Sequence, residues 1–404
     1  MARSRTSRAD SPAGGSRPTW LPSLDGTRFV ATTLVFCFHF AFQFPFKDKK
    51  AADLCMTLFS KAGPMQVGFF FVLSGFILTL IAKPGEPMRS FWRRRAAKIV
   101  PNHVVTWAVT AIVMVWLGLS VRWQSAVPNL FLIHPWFPRS DTFFSMDFVS
   151  WSLAAEAFFY LCFPFFHRAV AAIRPERLWW WAAGLVAATW AVPFVAELLP
   201  ARPLYFTIPT WRVWFIQMAP PVRALDFVLG MVTARIVLSG KWIRLPLWAA
   251  MTLLLGGYFL ASHIAEPWSF VAATSAPIAL VVAAAATADI ERTWSPFRSR
   301  PFVRLGELSF AFYLVHWMVL DFGHVALGAT KQWSTAEAVA LGLFAFVLSW
   351  GLAWLLNTFV EVPVMRRFAR ARARAKPGPV ALPTPGTASG TTTEQDQPTA
   401  PVAG

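Results

Sequence analysis

Ten stretches of the chain are apolar over a length that can cross a lipid bilayer, and this repetition constrains the fold more than any other feature. A helix rises 1.5 Å per residue, so about 20 apolar residues span the hydrocarbon core. The stretches cover residues 27–46, 64–82, 99–121, 149–171, 178–198, 220–239, 245–262, 269–288, 306–327 and 335–359. They predict an all-α, polytopic transmembrane helix bundle with about ten spanning helices. A shorter, proline-broken stretch over 203–218 is expected to be re-entrant or interfacial.

The composition favours a membrane protein over a soluble one. The chain is 56% hydrophobic and only 14% charged, whereas soluble domains contain about 25% charged residues. The polar residues are too few to cover the surface of a soluble protein, so we expect the apolar surface to face a lipid bilayer. The net charge of +17 does not indicate nucleic-acid binding, because the basic residues lie between apolar stretches. Lys and Arg concentrate in alternate connecting segments, which predicts a plasma-membrane protein with both termini in the cytoplasm.

The two ends of the chain differ in composition from the apolar part. Residues 1–22 form a basic, Ser-rich arm, and residues 368–404 form a Pro/Thr-rich tail. Both are expected to be disordered and to flank one transmembrane domain over 23–367. The three cysteines have neither metal nor redox spacing, so we expect no metal and no permanently bound cofactor.

The first apolar stretch contains an arginine and a histidine, Arg28 and His39. They are 11 residues apart, so they share one helix face with an axial separation of about 16 Å. Polar residues at membrane depth are costly and usually face a cavity or the interior of a bundle. Histidine exchanges protons near neutral pH, which makes His39 a candidate catalytic base. A structural histidine bonded to a neighbouring helix is the alternative interpretation.

Three further stretches each place polar side chains on one helix face. The spacing is i, i+4 or i, i+3 in each of them, so the side chains of one stretch lie together. The residues are Ser152, Glu156 and Tyr160; Ser309, Tyr313 and His316; and Arg223 and Asp226. We expect these faces to meet in one central cavity and to contact the acceptor substrate. For Arg223 and Asp226, a structural ion pair fits the spacing equally well.

A basic cluster precedes the third stretch and contains Arg93, Arg94, Arg95 and Lys98. Such a cluster can mark a cytoplasmic loop, or it can bind phosphate through bidentate guanidinium groups. Coenzyme A carries three phosphates and is confined to the cytoplasm, so an acyl-CoA co-substrate could dock here and extend toward His39. The neighbouring Ser74-Gly75 pair is expected to allow close helix packing.

Together these residues resemble the acyltransferase-3 family of integral membrane O-acyltransferases. The resemblance extends over about residues 23 to 367, and the motifs occur in the family's order. They are LDGTRF with Arg28 and His39, VGFFFVLSGF, FWRRRAAKIVP, WSLAAEAFFY, PVRALDFVLGM, LGELSFAFYLVHW and VEVP with Glu361. The stretch FWRRRAAKIVPNHVVTW is also similar to the branch that acylates macrolide antibiotics. Lys98 stands where the family usually has arginine; lysine keeps the charge but lacks the bidentate guanidinium group.

The resemblance implies transfer of an acetyl or other short acyl group from acyl-CoA to a hydroxyl of a glycan or natural product. It implies roles for Arg28 and His39 first, and for the basic cluster and the Ser152–Glu156 face next. We expect His39 to act as a base or to carry the acyl group itself, with Glu156 or Asp25 orienting its ring. A transporter or flippase with a proton relay is the competing class, although the halves of the chain show no repeat symmetry. A non-catalytic scaffold would not need polar faces on several helices.

Overall fold

The protein is described by a computed structural model that covers residues 20–370, except Phe44, Pro84, Phe206 and Thr207. These residues are largely helical and confirm the predicted all-α, polytopic bundle. The predicted arm over 1–22 and tail over 368–404 lie almost entirely outside the described residues.

Sixteen α-helices are present among the described residues. In chain order they are α1 (Pro22–Phe42), α2 (Lys49–Phe59), α3 (Ala62–Ile81), α4 (Met88–Trp116), α5 (Trp123–Leu130), α6 (Ser140–Phe143), α7 (Ser150–Ala172), α8 (Leu178–Ala196), α9 (Thr210–Val213), α10 (Pro220–Leu238), α11 (Leu247–His263), α12 (Glu266–Ser269), α13 (Ala272–Ile290), α14 (Arg300–Gly328), α15 (Thr335–Leu356) and α16 (Val362–Arg370). A hairpin of β1 (Leu204–Tyr205) and β2 (Ile208–Pro209) pairs antiparallel.

Each of the ten predicted spanning stretches coincides with one of the long helices α1, α3, α4, α7, α8, α10, α11, α13, α14 and α15. Among the described residues, six helical segments are both long and apolar enough to cross a bilayer. α1, α7 and α10 are not among these six, and each carries charged residues in its sequence. α11 is apolar but has 17 residues.

The start of α4 differs from the prediction, and the stretch 203–218 does not form a spanning helix. α4 begins at Met88 rather than near residue 99, because the basic segment before the apolar stretch is already helical. The stretch 203–218 is divided into the hairpin, α9 and a π-helical turn over Trp214–Met218, and none of these pieces is long enough to span. This agrees with the re-entrant or interfacial interpretation of that stretch.

The centre of the bundle is built by close helix crossings at glycine. A Cβ on Gly75 of α3 would lie 1.9 Å from the carbonyl oxygen of Phe227, and one on Gly230 of α10 would lie 1.9 Å from that of Val72. Both crossing helices therefore need glycine at the contact, as the Ser74-Gly75 pair predicted. α1 and α14 cross in the same way at Gly306.

The outer helices expose apolar side chains, as expected where the neighbouring medium is hydrocarbon. α15 exposes Leu343, Phe344 and Val347 on its outer face. By contrast, the central helix α3 is buried over most of its length. α3 therefore lies at the centre of the bundle, with the other helices packed around it.

Candidate functional site

A cavity of about 130 Å³ opens between α1, α3, α4, α7 and α14. This volume corresponds to on the order of ten water molecules. The polar residues that line it are Arg28, Ser74, Arg95, Lys98, Ser152, Glu156, Tyr160, Ser309 and Tyr313. Residues that the sequence placed on four separate helix faces therefore meet at one place.

Positive charge dominates this cavity. Arg28, Arg95 and Lys98 line it, and Glu156 is the one carboxylate among the lining residues that the structure describes. Arg28 forms an ion pair with Asp25, and Nη1 of the arginine lies 3.5 Å from Oδ1 of the aspartate. The excess of cations makes the cavity suitable for an anionic group.

Aromatic rings fix the two cations that come from α4. The guanidinium carbon of Arg95 lies 5.6 Å from the ring centre of Phe91 and 5.5 Å from that of Tyr160. The ammonium nitrogen of Lys98 lies 5.8 Å from the ring centre of Phe310. Cation–π contacts of this kind hold the charges in place without neutralising them, so both remain available to a ligand.

Glu156 is held in a small hydrogen-bond network across two helices. Ser74 Oγ on α3 donates to Glu156 Oε1 at 2.9 Å, and the hydroxyl of Tyr160 donates to the same oxygen. The serine hydroxyl also lies 3.3 Å from the tyrosine hydroxyl. The i, i+4 spacing predicted that Glu156 and Tyr160 share a face, whereas nothing in the sequence linked them to Ser74.

Two of the residues that line the cavity, Tyr313 on α14 and Ser152 on α7, form a hydrogen bond with each other. Their hydroxyl oxygens are 2.7 Å apart, and either hydroxyl can be the donor. The carbonyl oxygen of Val149 lies 3.3 Å from the Tyr313 hydroxyl and 3.0 Å from that of Ser152, so it can accept from the one that does not donate to the other. Ser309 contributes a buried hydroxyl that has no hydrogen-bond partner among the described residues. A bound group could therefore pair with Ser309 at no cost to existing bonds.

His39 is paired with His316, and neither histidine is among the residues that line the cavity. Nδ1 of His39 is 2.8 Å from Nε2 of His316, and the two rings stack with their centres 5.1 Å apart. The ring of Tyr313, which lines the cavity, is 5.6 Å from that of His316. Trp317 and Phe148 enclose the His39 ring on its other sides, at 4.9 Å and 5.9 Å.

The expectation that Glu156 or Asp25 orients the ring of His39 is wrong. The carboxylate of Asp25 accepts from Trp20 Nε1 at 2.9 Å and pairs with Arg28. Glu156 is bonded to Ser74 and Tyr160, as described above. The partner of the His39 ring is a second histidine on α14, and both carboxylates are engaged elsewhere.

Two members of the basic cluster lie outside the cavity. Arg93 is exposed. It is two residues from Arg95 and therefore lies on the opposite face of α4. Arg94 forms an ion pair with Glu86 and also donates to Ser90 Oγ at 3.1 Å. Of the four cluster residues, Arg95 and Lys98 therefore remain the candidates for binding acyl-CoA.

Arg223 and Asp226 form the ion pair that their spacing predicted, with Nη2 and Oδ2 2.8 Å apart and both side chains almost fully buried. Neither residue lines the cavity, and the guanidinium lies against Phe71, 5.2 Å from its ring centre. This position does not support the expected acceptor contact. It agrees with the structural alternative, in which the pair stabilises α10 inside the bundle.

Three residues near the site were not predicted from the sequence as site residues. Phe148 and Trp317 pack against the ring of His39. Glu361 accepts a hydrogen bond from Asn102 Nδ2 at 3.2 Å, which links the C-terminal end of the bundle to α4. Trp317 follows His316 directly, so the LVHW segment carried a signal for it. Phe148 lies in a connecting segment whose pattern gave none.

Comparison with known proteins gives a consistent result over most of the chain. A family model described as an acyltransferase domain matches residues 21–354. Acyltransferase MdmB of Streptomyces mycarofaciens is 40% identical over 364 residues, which covers 87% of this chain and 93% of that protein.

Two other relatives match over a shorter length. The peptidoglycan O-acetyltransferase OatA of Listeria monocytogenes is 28% identical over 164 residues, or 36% of this chain and 24% of that protein. The putative peptidoglycan O-acetyltransferase YrhL of Bacillus subtilis is 29% identical over 168 residues, with the same shares. No solved structure matches the chain.

Proposed function

Because the chain belongs to the acyltransferase-3 family of integral membrane O-acyltransferases, we propose that it transfers an acyl group from acyl-CoA to a hydroxyl of its acceptor. The acceptor is a sugar-containing or other hydroxylated natural product, and the acyl group is acetyl or another short chain. The observation that carries this proposal is the cationic cavity, one of whose lining residues, Tyr313, contacts the buried His39–His316 pair.

The charge of the cavity supports an acyl-CoA donor. Arg28, Arg95 and Lys98 face the same space as a single carboxylate, and cations with free donors bind phosphate oxygens well. The cavity is too small for a whole nucleotide, so the adenosine end of the donor lies outside it. The arm of the donor then extends along the face of α1 from Arg28 toward His39, an axial distance of about 16 Å.

His39 supplies the proton chemistry in this proposal. An acceptor hydroxyl is a weak nucleophile until a base removes its proton, and a positioned base contributes roughly 10²–10⁴-fold to the rate. As the acceptor oxygen bonds to the thioester carbonyl carbon, the C–S bond breaks and the departing thiolate takes up a proton. Alternatively, His39 first accepts the acyl group and passes it to the hydroxyl, which would carry the group across the bilayer from a cytoplasmic donor.

The choice of acceptor rests on the relatives and on one motif. Relatives named peptidoglycan O-acetyltransferases match 36% of this chain, whereas Acyltransferase MdmB matches 87% of it. The α4 segment FWRRRAAKIVPNHVVTW resembles the macrolide-acylating branch. We therefore favour a macrolide-like natural product over a cell-wall polymer.

The concentration of Lys and Arg in alternate connecting segments supports a plasma-membrane location with both termini in the cytoplasm.

Mass spectrometry of cells with and without the gene tests this function, with complementation by wild type or His39→Ala. We expect one hydroxylated compound to gain an ester-linked acyl group with wild type alone, while the variant reaches the same membrane level. A compound that accumulates on one side of the membrane without any ester change would instead support the transporter class.

A further inference from the structure

We propose that His316 is a positioning residue that fixes the tautomer of His39 and leaves Nε2 of His39 as the reactive nitrogen. This inference deepens the proposed function, on which it rests, and it replaces the expectation that His316 contacts the acceptor. Both nitrogens of His316 are already engaged within the bundle, so neither is available to a substrate.

The argument begins at a backbone carbonyl on α14. Nδ1 of His316 lies 2.8 Å from the carbonyl oxygen of Tyr313, one helical turn earlier. A carbonyl oxygen can only accept, so Nδ1 of His316 must carry the hydrogen. A neutral imidazole has one N–H, and a pair buried this deeply is expected to be neutral because burying an unpaired charge is costly. Nε2 of His316 is therefore a hydrogen-bond acceptor.

The tautomer of His316 determines the tautomer of His39 on α1. Nδ1 of His39 lies 2.8 Å from Nε2 of His316. Since that nitrogen of His316 accepts, Nδ1 of His39 must donate. The lone pair of His39 then resides on Nε2, and one carbonyl on α14 has fixed the tautomers of both rings. Aromatic neighbours hold the ring in place, with Phe38 and Trp317 both centred 4.9 Å away.

The remaining nitrogen of His39 has the properties that the reaction needs. Nε2 has no hydrogen-bond partner among the residues that the structure describes, and His39 keeps 7% of its surface exposed. When Nε2 takes the proton of the acceptor hydroxyl, the imidazolium donates from Nδ1 to His316. This bond becomes charge-assisted and stronger as the positive charge develops, so His316 stabilises the transition state more than the resting enzyme.

The same geometry predicts the site of acylation if His39 carries the acyl group. Nε2 attacks the thioester carbonyl carbon, the N–C bond forms as the C–S bond breaks, and the thiolate departs with a proton from solvent. Nδ1 keeps its hydrogen and its bond to His316 throughout. Attack by the acceptor hydroxyl then breaks the N–C bond and transfers the hydroxyl proton to Nε2. Loss of this proton to solvent restores the starting tautomer and balances the proton that the thiolate took up.

Two substitutions at position 316 separate positioning from simple packing. In His316→Gln the side-chain carbonyl can still accept from Nδ1 of His39, whereas His316→Leu removes the acceptor. We expect the Leu variant to lower kcat by about 10- to 100-fold, a common cost of losing an outer hydrogen-bond partner. Its KM for acyl-CoA should stay within about twofold, and the Gln variant should keep most of the activity. His324→Leu on the same helix serves as a control, because His324 bonds to the carbonyl of Ala329, just beyond the end of α14, and has no contact with His39.

Nitrogen-15 NMR of histidine-labelled protein in lipid vesicles tests the tautomer without any donor or acceptor. The spectrum, assigned by difference with His39→Gln, should place the hydrogen of His39 on Nδ1 in wild type and in His316→Gln. A hydrogen on Nε2 in wild type would overturn the inference even if acyl transfer is confirmed. Equal losses of kcat in the Gln and Leu variants would also overturn it. If wild type transfers no acyl group, the proposed function fails while the NMR result still decides the tautomer.

Discussion

Arg95→Met should weaken the binding of acyl-CoA by about 10- to 150-fold. Arg95 lines the cavity, and its charge is held between the rings of Phe91 and Tyr160 without an ion-pair partner among the described residues. A hydrogen bond to a charged group contributes roughly 1.5–3 kcal/mol, and about 1.4 kcal/mol corresponds to a tenfold change in affinity. Methionine keeps the apolar stem that packs on both rings, so the change reports mainly the lost charge.

Equilibrium binding of acyl-CoA to detergent-purified protein measures this effect. Arg93→Met is the matched control, because Arg93 is two residues away on the same helix but is exposed and outside the cavity. We expect the control to bind within about threefold of wild type, since a distant surface charge is screened by salt. Equal losses in the two variants would refute the reasoning, because the basic cluster would then act through its overall charge or its topology.

Three further substitutions test the packing of the bundle and the hydrogen bond between Tyr313 and Ser152. Gly230→Ala should sharply reduce the yield of folded protein, because the new Cβ would lie 1.9 Å from a carbonyl oxygen of α3; Gly184→Ala, where a Cβ meets nothing within 4 Å, should not. Asp226→Asn should cost about 3–5 kcal/mol of stability by leaving Arg223 buried without its counter-ion, measured as a lower unfolding temperature, with the activity per folded molecule unchanged. Tyr313→Phe should lower kcat by roughly tenfold in a turnover assay, because Ser152 loses its hydrogen-bond partner in the wall of the cavity. Unchanged turnover would contradict this role.

Much of the fold could be predicted because a bilayer imposes one dominant rule. A run of about 20 apolar residues has few alternatives to a spanning helix, and the long helices of the structure coincide with the predicted stretches. Local spacing was equally informative within one helix. The i, i+3 spacing of Arg223 and Asp226 predicted their ion pair, and the i, i+4 spacing of Glu156 and Tyr160 predicted their contact.

The contacts between helices could not be predicted in the same way. His39 and His316 are separated by 277 residues, and Ser74 and Glu156 by 82. Helical periodicity says which face a residue occupies but not which helix that face meets. For this reason a carboxylate was expected beside His39, where the structure places a second histidine. Likewise, an i, i+3 pair has the same pattern whether it faces a cavity or the packed interior, so the spacing could not show that Arg223 lies outside the cavity.

Release of free coenzyme A and formation of a labelled ester in proteoliposomes test the central claim most directly. Purified protein is supplied with isotope-labelled acetyl-CoA and a hydroxylated macrolide, and wild type is compared with His39→Ala at equal insertion. The account predicts that wild type produces the labelled ester together with free coenzyme A, and that the variant produces neither above background. An ester formed by His39→Ala at the wild-type rate would contradict the account.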